Sequence, residues 1–252
     1  MKKLVLAASI VVLGTATASA ADLAPRYYKA PPPPVVSPLY NWSGFYAGIN
    51  GGWGTSHNCW TRTATAGAAI LPVSEGCHDA DGGTVGGQIG YRWQAANWVF
   101  GLEAQGNWAD FRGSNASLLF GGVATNRTKI DAFGLFTGQV GYAWNNVLWY
   151  VKGGAAVTDN KYNGVLTGIA FDQSSQTRWG GAVGTGIEVG FAPGWSVGVE
   201  YDHLFMGSSN LTFAATPALG IGFTRTDSIK QDVDMGTVRI DYTFGGPVVA
   251  RY

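Results

Sequence analysis

The stretch from Ile130 to Val157 reads IDAFGLFTGQVGYAWNNVLWYVKGGAAV, and it contains two runs of strand length joined by Asn145-Asn146. Asparagine tolerates a positive φ, so an Asn-Asn pair suits the two-residue turn of a tight hairpin. Such a turn places Trp144 opposite Val147 and brings the apolar and aromatic residues of both runs onto one face. Because a slip of one residue would mix the two faces, the matching phase predicts a β-hairpin with one apolar face.

The same two-face alternation recurs in eight runs along the chain. They are Gly44–Gly54, Gly83–Trp93, Asn97–Asp110, Ile130–Trp144, Val147–Val157, Arg178–Phe191, Trp195–Phe205 and Gly236–Phe244. One face of these runs collects aliphatic and aromatic side chains, and the opposite face collects ten charged ones. The ten are Arg92, Glu103, Asp131, Lys152, Arg178, Glu188, Glu200, Asp202, Arg239 and Asp241. This segregation alone fits both a soluble sandwich and a membrane barrel, since each has one apolar surface.

The lengths of the connections distinguish between these two folds. Long gaps (55–82, 111–129, 158–177 and 206–235) alternate with short ones (94–96, 145–146 and 192–194). Barrels of the bacterial outer membrane have short turns in the periplasm and longer loops outside the cell. The alternation therefore favours the membrane barrel.

Aromatic residues fall into two groups at different heights along the runs. Those beside the short turns are Phe45, Trp93, Trp98, Trp144, Trp149, Phe191, Trp195, Tyr242 and Phe244, and those at the far ends are Trp53, Trp108, Trp179 and Phe205. A bilayer-spanning barrel carries such aromatic belts at both interfaces, whereas a soluble core has no reason to sort tryptophan by height. The sequence thus predicts an all-β fold: an eight-stranded antiparallel up-and-down transmembrane β-barrel with short periplasmic turns and long extracellular loops.

Two segments precede the barrel. Residues 1–20 combine two lysines, a short apolar run and the small residues Ala18-Ser19-Ala20, which is the pattern of a cleavable signal peptide. The apolar run is too short to be a membrane anchor. Residues 21–43 contain four consecutive prolines, so we expect an extended or disordered periplasmic leader before the barrel domain at residues 44–252. An exported barrel of this kind belongs in the bacterial outer membrane.

The amino-acid composition is also consistent with an exported membrane barrel. Glycine accounts for 38 of 252 residues, and charged residues make up 13%, about half the usual share. Lys and Arg number 16 and are balanced by 16 Asp and Glu, so no excess of positive charge suggests a nucleic-acid partner.

Three short motifs resemble a known family. They are Asp22-Leu23, the barrel opening Tyr40–Tyr46 (YNWSGFY) and the closing strand Val238–Phe244 (VRIDYTF). These motifs resemble the outer membrane immunogenic or opacity-type proteins of alphaproteobacteria, small β-barrels related in fold to the OmpA transmembrane domain. The resemblance covers nearly the whole chain and implies a surface antigen of the cell envelope. It also implies recognition of a terminal aromatic residue by the outer-membrane assembly machinery, with Phe244 and Tyr252 as the two candidates.

An eight-stranded barrel has an interior only wide enough for side chains. Burying single charges there costs several kcal/mol each, so we expect the inward charges to pair in a network. The predicted lumen network consists of Arg92, Glu103, Lys152, Arg178, Glu188, Glu200, Arg239 and Asp241. Such a network favours a polar plug over a narrow gated pore.

The first long gap contains His57, Cys59, Cys77 and His78. In an oxidising compartment two cysteines usually pair, so we predict a Cys59–Cys77 disulfide. All four residues are also zinc-ligand types, but they lack the spacing of a zinc finger. We therefore expect no metal and no other cofactor.

The sequence favours a non-enzymatic protein with a structural and surface-presenting role. A narrow porin-like channel, or a haemin binder that uses His57 and His78, is the alternative. His203 lies near Asp202 and Ser208-Ser209, but Asp202 points to the other face, so a linear catalytic triad fails on geometry. The expected partners are outer-membrane lipid and lipopolysaccharide together with the assembly machinery, and the oligomeric state stays open.

Overall fold

The structure is a computed structural model that describes residues 40–166, 168–215 and 224–245. The predicted signal peptide, the leader up to residue 39 and the chain end at Tyr252 lie outside this range. Within it, a three-residue 3-10 turn at Leu118–Phe120 is the one helical element. No helix among these residues is long and apolar enough to cross a bilayer.

Eight antiparallel strands form a closed ring in chain order, with the last strand paired to the first. They are β1 (Gly44–Thr65), β2 (Ala68–Ala95), β3 (Trp98–Ala116), β4 (Ala124–Trp144), β5 (Val147–Leu166), β6 (Ile169–Ala192), β7 (Trp195–Ala215) and β8 (Arg225–Phe244). Closure leaves no unpaired sheet edge, which a strand protein needs inside a bilayer. The predicted eight-stranded up-and-down barrel is confirmed.

The β4–β5 hairpin has the predicted register. Trp144 pairs with Val147, and Asn145 adopts a φ of 56° in the turn. The positive φ explains why asparagine, which tolerates the left-handed region, occupies this position.

The four long gaps are largely strand rather than loop, so the predicted strand boundaries are wrong at the outer end. The gap 55–82, for example, is a continuous hairpin of β1 and β2 that closes at Ala66-Gly67, where both residues have a positive φ. The prediction followed the outward apolar side chains, and these stop where the wall leaves the hydrocarbon, although the backbone ladder continues. We call this outer part of the barrel the collar; it comprises residues 55–82, 111–129, 158–166, 168–177, 206–215 and 224–235.

Both aromatic belts lie on the outside of the wall. All thirteen predicted belt side chains are exposed, from Tyr242 at 37% to Trp108 at 75%. Neighbouring strands bring some of their rings together, as in Trp195 and Tyr242, whose centroids are 5.0 Å apart. Phe45 and Trp53 mark the two belts on β1, eight residues or about 26 Å apart along the strand. With the strands tilted by about 40°, this corresponds to about 20 Å of height, slightly less than the apolar band of about 25 Å on an outer-membrane barrel.

Asp131 does not point into the lumen as predicted. A β-bulge shifts the register of β4 and β5 between Ile130 and Ala132, and the bulge turns Asp131 to the outer surface. There its carboxylate lies 2.6 Å from Lys161 Nζ and also pairs with Lys129.

Candidate functional site in the lumen and the collar

The inward side chains of β8 give the order of the layers inside the barrel. From the periplasmic end outward, Arg239 lies in a charged cluster and Met235 and Val233 in an apolar layer. Further out, Ile229 belongs to a second apolar cluster, and Arg225 lies in a second charged cluster. The lumen is therefore filled in alternating polar and apolar layers, with a charged cluster near each end, rather than by one polar plug.

The charged cluster at the periplasmic side, here called the lower network, contains three cations and five carboxyl groups. Its members are Arg92, Lys152, Arg239, Glu103, Glu188, Glu200, Asp202 and Asp241. Arg239 occupies its centre and is 1% exposed. Its guanidinium contacts Glu103 and lies 2.8 Å from oxygens of both Glu200 and Asp241.

The other two cations complete the lower network. Arg92 binds Glu188 through two parallel bonds of 2.6 and 2.8 Å, the bidentate geometry that makes such pairs strong. Lys152 Nζ lies 2.6 Å from Glu200 and 3.1 Å from Asp202. Every carboxyl group in the network therefore has a cation within reach, which buried charges require.

The structure brings seven of the eight predicted lumen residues into this network and separates the eighth. Arg178 is buried, but it lies farther out and donates to the backbone carbonyl of Gly207 at 2.8 Å and to that of Met206 at 3.2 Å. The sequence pattern placed Arg178 on the correct face but could not give its height relative to the carboxylates. Asp202 takes part instead, and its side chain is fully buried.

Above the lower network, an apolar layer crosses the lumen within the membrane-spanning part and the base of the collar. It consists of Ala80, Phe111, Ile130, Phe133, Leu135, Ala156, Ala182, Leu204, Met206, Val233 and Met235, each at most 5% exposed. These side chains come from β2 to β8, so the layer spans the full width of the barrel. The layer places apolar side chains across the path between the two ends.

The periplasmic opening is closed by the residues that precede β1. Trp42 is 1% exposed and packs with Val99, Leu148 and Tyr150 inside the barrel. Its backbone N–H donates to Gln94 Oε1 at 3.1 Å. The last residues of the predicted leader thus enter the lumen, which the sequence pattern did not predict because tryptophan also suits an interfacial belt.

A second charged cluster, the upper network, lies inside the collar and was not predicted. It contains Arg62, Arg225, Glu75, Asp172 and Asp227, all at most 5% exposed. Arg225 lies 2.6 Å from Asp172, and its guanidinium stacks 4.4 Å from the Phe213 ring. Burial raises the pKa of Asp227 to about 6. The alternation of inward and outward residues along β8 could have indicated that Arg225 and Asp227 point into the lumen. Charged side chains on both faces of that segment obscured the alternation.

The predicted disulfide is present between Cys59 and Cys77, which face each other on β1 and β2. His57 lies on the outer surface beside the bond, whereas His78 points inward and contacts Asn115 and Thr128 through its two ring nitrogens. Burial lowers the pKa of His78. The two histidines occupy opposite faces of the wall, so one haemin cannot contact both, and the four-residue zinc site is not assembled.

His203 lies on the outer surface of the wall, at the outer belt. Its ring is 4.3 Å from that of Phe205, and its Nδ1 lies 2.6 Å from Asp234 Oδ1. The neighbouring Asp202 points into the lumen, and Tyr201 OH shares the Asp234 carboxylate. No serine hydroxyl contacts His203 among the contacts of the described residues.

Charged side chains also line the outer surface of the collar just beyond the membrane. Arg112, Lys129 and Lys161 form one row across β3, β4 and β5. Arg127 lies one step farther out on β4, and Arg112, Arg127 and Lys129 line a shallow groove. Asp110 and Asp131 lie on the membrane side of this row and form ion pairs with its cations.

Comparisons with known proteins agree with this architecture. Residues 8–244 match the family model described as outer membrane protein beta-barrel domain. The chain is 30% identical over 217 residues to the 31 kDa outer-membrane immunogenic protein of Brucella melitensis, covering 83% of this chain and 89% of that protein. It is 28% identical over 244 residues to the 25 kDa outer-membrane immunogenic protein of Brucella abortus, covering 97% and 99%.

Two solved structures share the fold at low sequence identity. The outer membrane protein OprG from Pseudomonas aeruginosa superposes with a TM-score of 0.57 at 16% identity, over 82% of this chain and 99% of that one. The outer membrane protease OmpT from Escherichia coli superposes with a TM-score of 0.51 at 9% identity, over 80% and 97%. At these identities the likeness concerns the fold alone.

Proposed function

This chain belongs to the outer membrane protein β-barrel domain family, and from that premise we propose that it is a closed, non-conducting barrel that supports the envelope and carries its collar at the cell surface. It resides in the bacterial outer membrane, and its relatives are outer-membrane immunogenic proteins.

The apolar layer is the observation that supports a closed barrel. An ion that passes through the lumen must break the lower network, shed its water in the apolar layer and cross the collar interior. Transfer of an unpaired ion into such a medium costs many kcal/mol, and an apolar constriction empties itself of water.

Planar-bilayer recording tests this proposal. Protein that shows heat-modifiable migration on a detergent gel, and is therefore folded, should give no discrete conductance steps. A matched variant, Phe111→Ser with Leu135→Ser, removes two apolar side chains from the layer and should give a measurable leak. Discrete channels from the unchanged protein would overturn the proposal.

We also propose that the protein is not an enzyme. His203 has a carboxylate partner in Asp234, but no serine, threonine or cysteine nucleophile contacts it among the described residues. A proteolytic site needs a nucleophile or an activated water between convergent groups, and the lumen carboxylates are occupied by cations. Incubation of folded protein with a peptide library should leave every peptide intact.

We also propose that the row of Arg112, Lys129 and Lys161 contacts the phosphate groups of lipopolysaccharide. The row lies just beyond Trp108 of the outer belt, at the height of the phosphorylated headgroups. Guanidinium and ammonium groups are the usual partners of phosphate, and exposed contacts of this type weaken with salt.

Retention of lipopolysaccharide through detergent extraction tests this contact. Changing the three cations together to glutamine should lower the retained lipopolysaccharide per chain several-fold and remove most of its salt dependence. Lys230→Gln, which removes a cation from the opposite side of the collar next to Asp232, is the control and should change retention little. Equal losses from both variants would contradict the assignment.

A further inference from the structure

Four side chains of metal-ligand type form a square on the outer surface of the collar. His57 and Cys59 lie two residues apart on β1, so they share one face, and Cys77 and Asp79 do the same on β2. The strand register places His57 opposite Asp79 and Cys59 opposite Cys77. All four belong to the collar, beyond the outer aromatic belt.

The distances within this square are those of a coordination site. His57 Nε2 lies 3.4 Å from Cys59 Sγ, and His57 Nδ1 lies 2.6 Å from Asp79 Oδ1. The ligand atoms of His57, Cys59 and Cys77 all lie within 4.8 Å of one another. A carboxylate on the far nitrogen of a histidine is the arrangement that orients metal-binding imidazoles in proteins.

We propose that reduction of the Cys59–Cys77 disulfide converts this square into a binding site for a thiophilic divalent cation, with zinc as the best fit. Cys59, Cys77 and His57 Nε2 supply three ligands, solvent supplies the fourth, and Asp79 is a positioning residue. Two thiolates with one imidazole are a known zinc donor set. The inference is independent of whether the barrel conducts.

The redox step balances with a dithiol or a phosphine as the reductant. A dithiol transfers two electrons and two protons to the sulfur–sulfur bond and leaves as its own disulfide. A phosphine supplies the two electrons, takes an oxygen atom from water and leaves as the phosphine oxide, and the same water molecule supplies both protons. The two thiols formed in the protein then release their protons to solvent as the cation binds. In the oxidised state both sulfurs are held in the disulfide, so the site opens only on reduction.

The surroundings of the square favour a cation. Asp232 faces His57 from β8, and Asp81 lies two residues beyond Asp79 on β2. Lys230 faces Cys59 but is itself paired with Asp232 at 3.3 Å. His78 points into the barrel and takes no part.

Metal titration of the full folded chain in detergent tests the proposal, with Co²⁺ as the spectroscopic probe and Zn²⁺ as the competitor. After phosphine treatment and removal of the reductant, one Co²⁺ per chain should give a thiolate charge-transfer band that Zn²⁺ abolishes. The oxidised protein should give no band. Heat-modifiable migration on a gel reports that the barrel is folded in every sample.

Matched variants separate this site from incidental thiol binding. Cys59→Ser should abolish the band, and His57→Ala should weaken binding at least tenfold. Asp79→Asn should weaken binding about ten- to hundred-fold while leaving the band position unchanged. His203→Ala is the control, because His203 is also an outward histidine held 2.6 Å from an aspartate, and it should bind like the unchanged protein. No stoichiometric binding by the reduced chain, or binding unaffected by His57→Ala, overturns the proposal.

Discussion

The lower and upper networks are built alike but lie in different surroundings. Each centres on an arginine that several carboxylates share, Arg239 below and Arg225 in the collar, and each has one or two more carboxyl groups than the nearby cations. The lower one is enclosed by Trp42, the apolar layer and a wall in hydrocarbon, whereas the upper one lies in a collar surrounded by water. We expect the surroundings of a network, more than its ions, to decide whether it stabilises the whole barrel or only one end.

Loss of the central arginine gives the largest expected contrast. Arg239→Met leaves Glu103, Glu200 and Asp241 without their shared cation, and breaking a buried ionic cluster in this way costs about 3–5 kcal/mol. Arg225→Met should leave the barrel transition within about 1 kcal/mol of the unchanged protein, because the collar opens separately. Urea unfolding followed by gel migration measures both, and equal shifts would show that the two networks act as one unit.

Two buried leucines offer the next contrast. Leu135 belongs to the apolar layer and Leu211 to the apolar cluster of the collar, at 1% and 3% exposure. Leu135→Ala should lower the free energy of unfolding of the barrel by about 2–5 kcal/mol through the lost contacts and the cavity. Leu211→Ala should instead increase hydrogen exchange in the collar with little change in the urea midpoint. A larger midpoint shift for Leu211→Ala would reverse our ranking of the two regions.

The disulfide should affect only the collar. Cys59 and Cys77 close a short loop within one hairpin, which in the chain-entropy model contributes about 3 kcal/mol. The double change to serine should raise hydrogen exchange across residues 55–82 and leave heat-modifiable migration as it was. Failure of the double variant to form a heat-modifiable barrel would show that the collar is needed for folding of the membrane part.

The smallest expected effect is a pH dependence of the collar. Burial raises the pKa of Asp227 from 3.8 to about 6, so its contribution to stability is fully present below pH 4 and is lost as the pH rises through 6. The change is on the order of 1–3 kcal/mol. Exchange in the collar, corrected for the intrinsic rate, should be slower at pH 5 than at pH 7.5, and Asp227→Asn should reduce the difference. Faster exchange at pH 5 in the unchanged protein would contradict this sign.

The sequence predicted the ring of strands and the two faces of its wall well, because side-chain alternation reports directly on hydrocarbon contact. Trp53 and Trp108 were assigned to the outer surface for that reason, and both are exposed. The same signal stopped at the membrane edge, so the continuation of β1 and β2 to Ala66-Gly67 was missed. Asp131 was misplaced because a bulge reverses the phase without a mark in the sequence.

The site was harder to predict than the fold. Alternation gives the face of a residue but not its height, so Arg178 was grouped with carboxylates that it does not reach. The upper network joins Arg62 and Glu75 of the β1–β2 hairpin to Arg225 at the start of β8, and Arg225 reaches them only because the ring closes. The Cys59–Cys77 disulfide was predicted correctly, because the two cysteines of a protein in an oxidising compartment usually pair.

The tight turn at Ala66-Gly67 makes the collar a natural display scaffold. A Cβ added to Gly67 would meet nothing within 4 Å, and within the described part of the chain one backbone bond ties this turn to another segment, from Ala66 N–H to the Thr224 carbonyl. A foreign epitope spliced between these two residues would project from the tip of the longest hairpin, far from the lower network and the apolar layer of the lumen. Vaccine carriers and whole-cell biosensors need an insertion point with these properties.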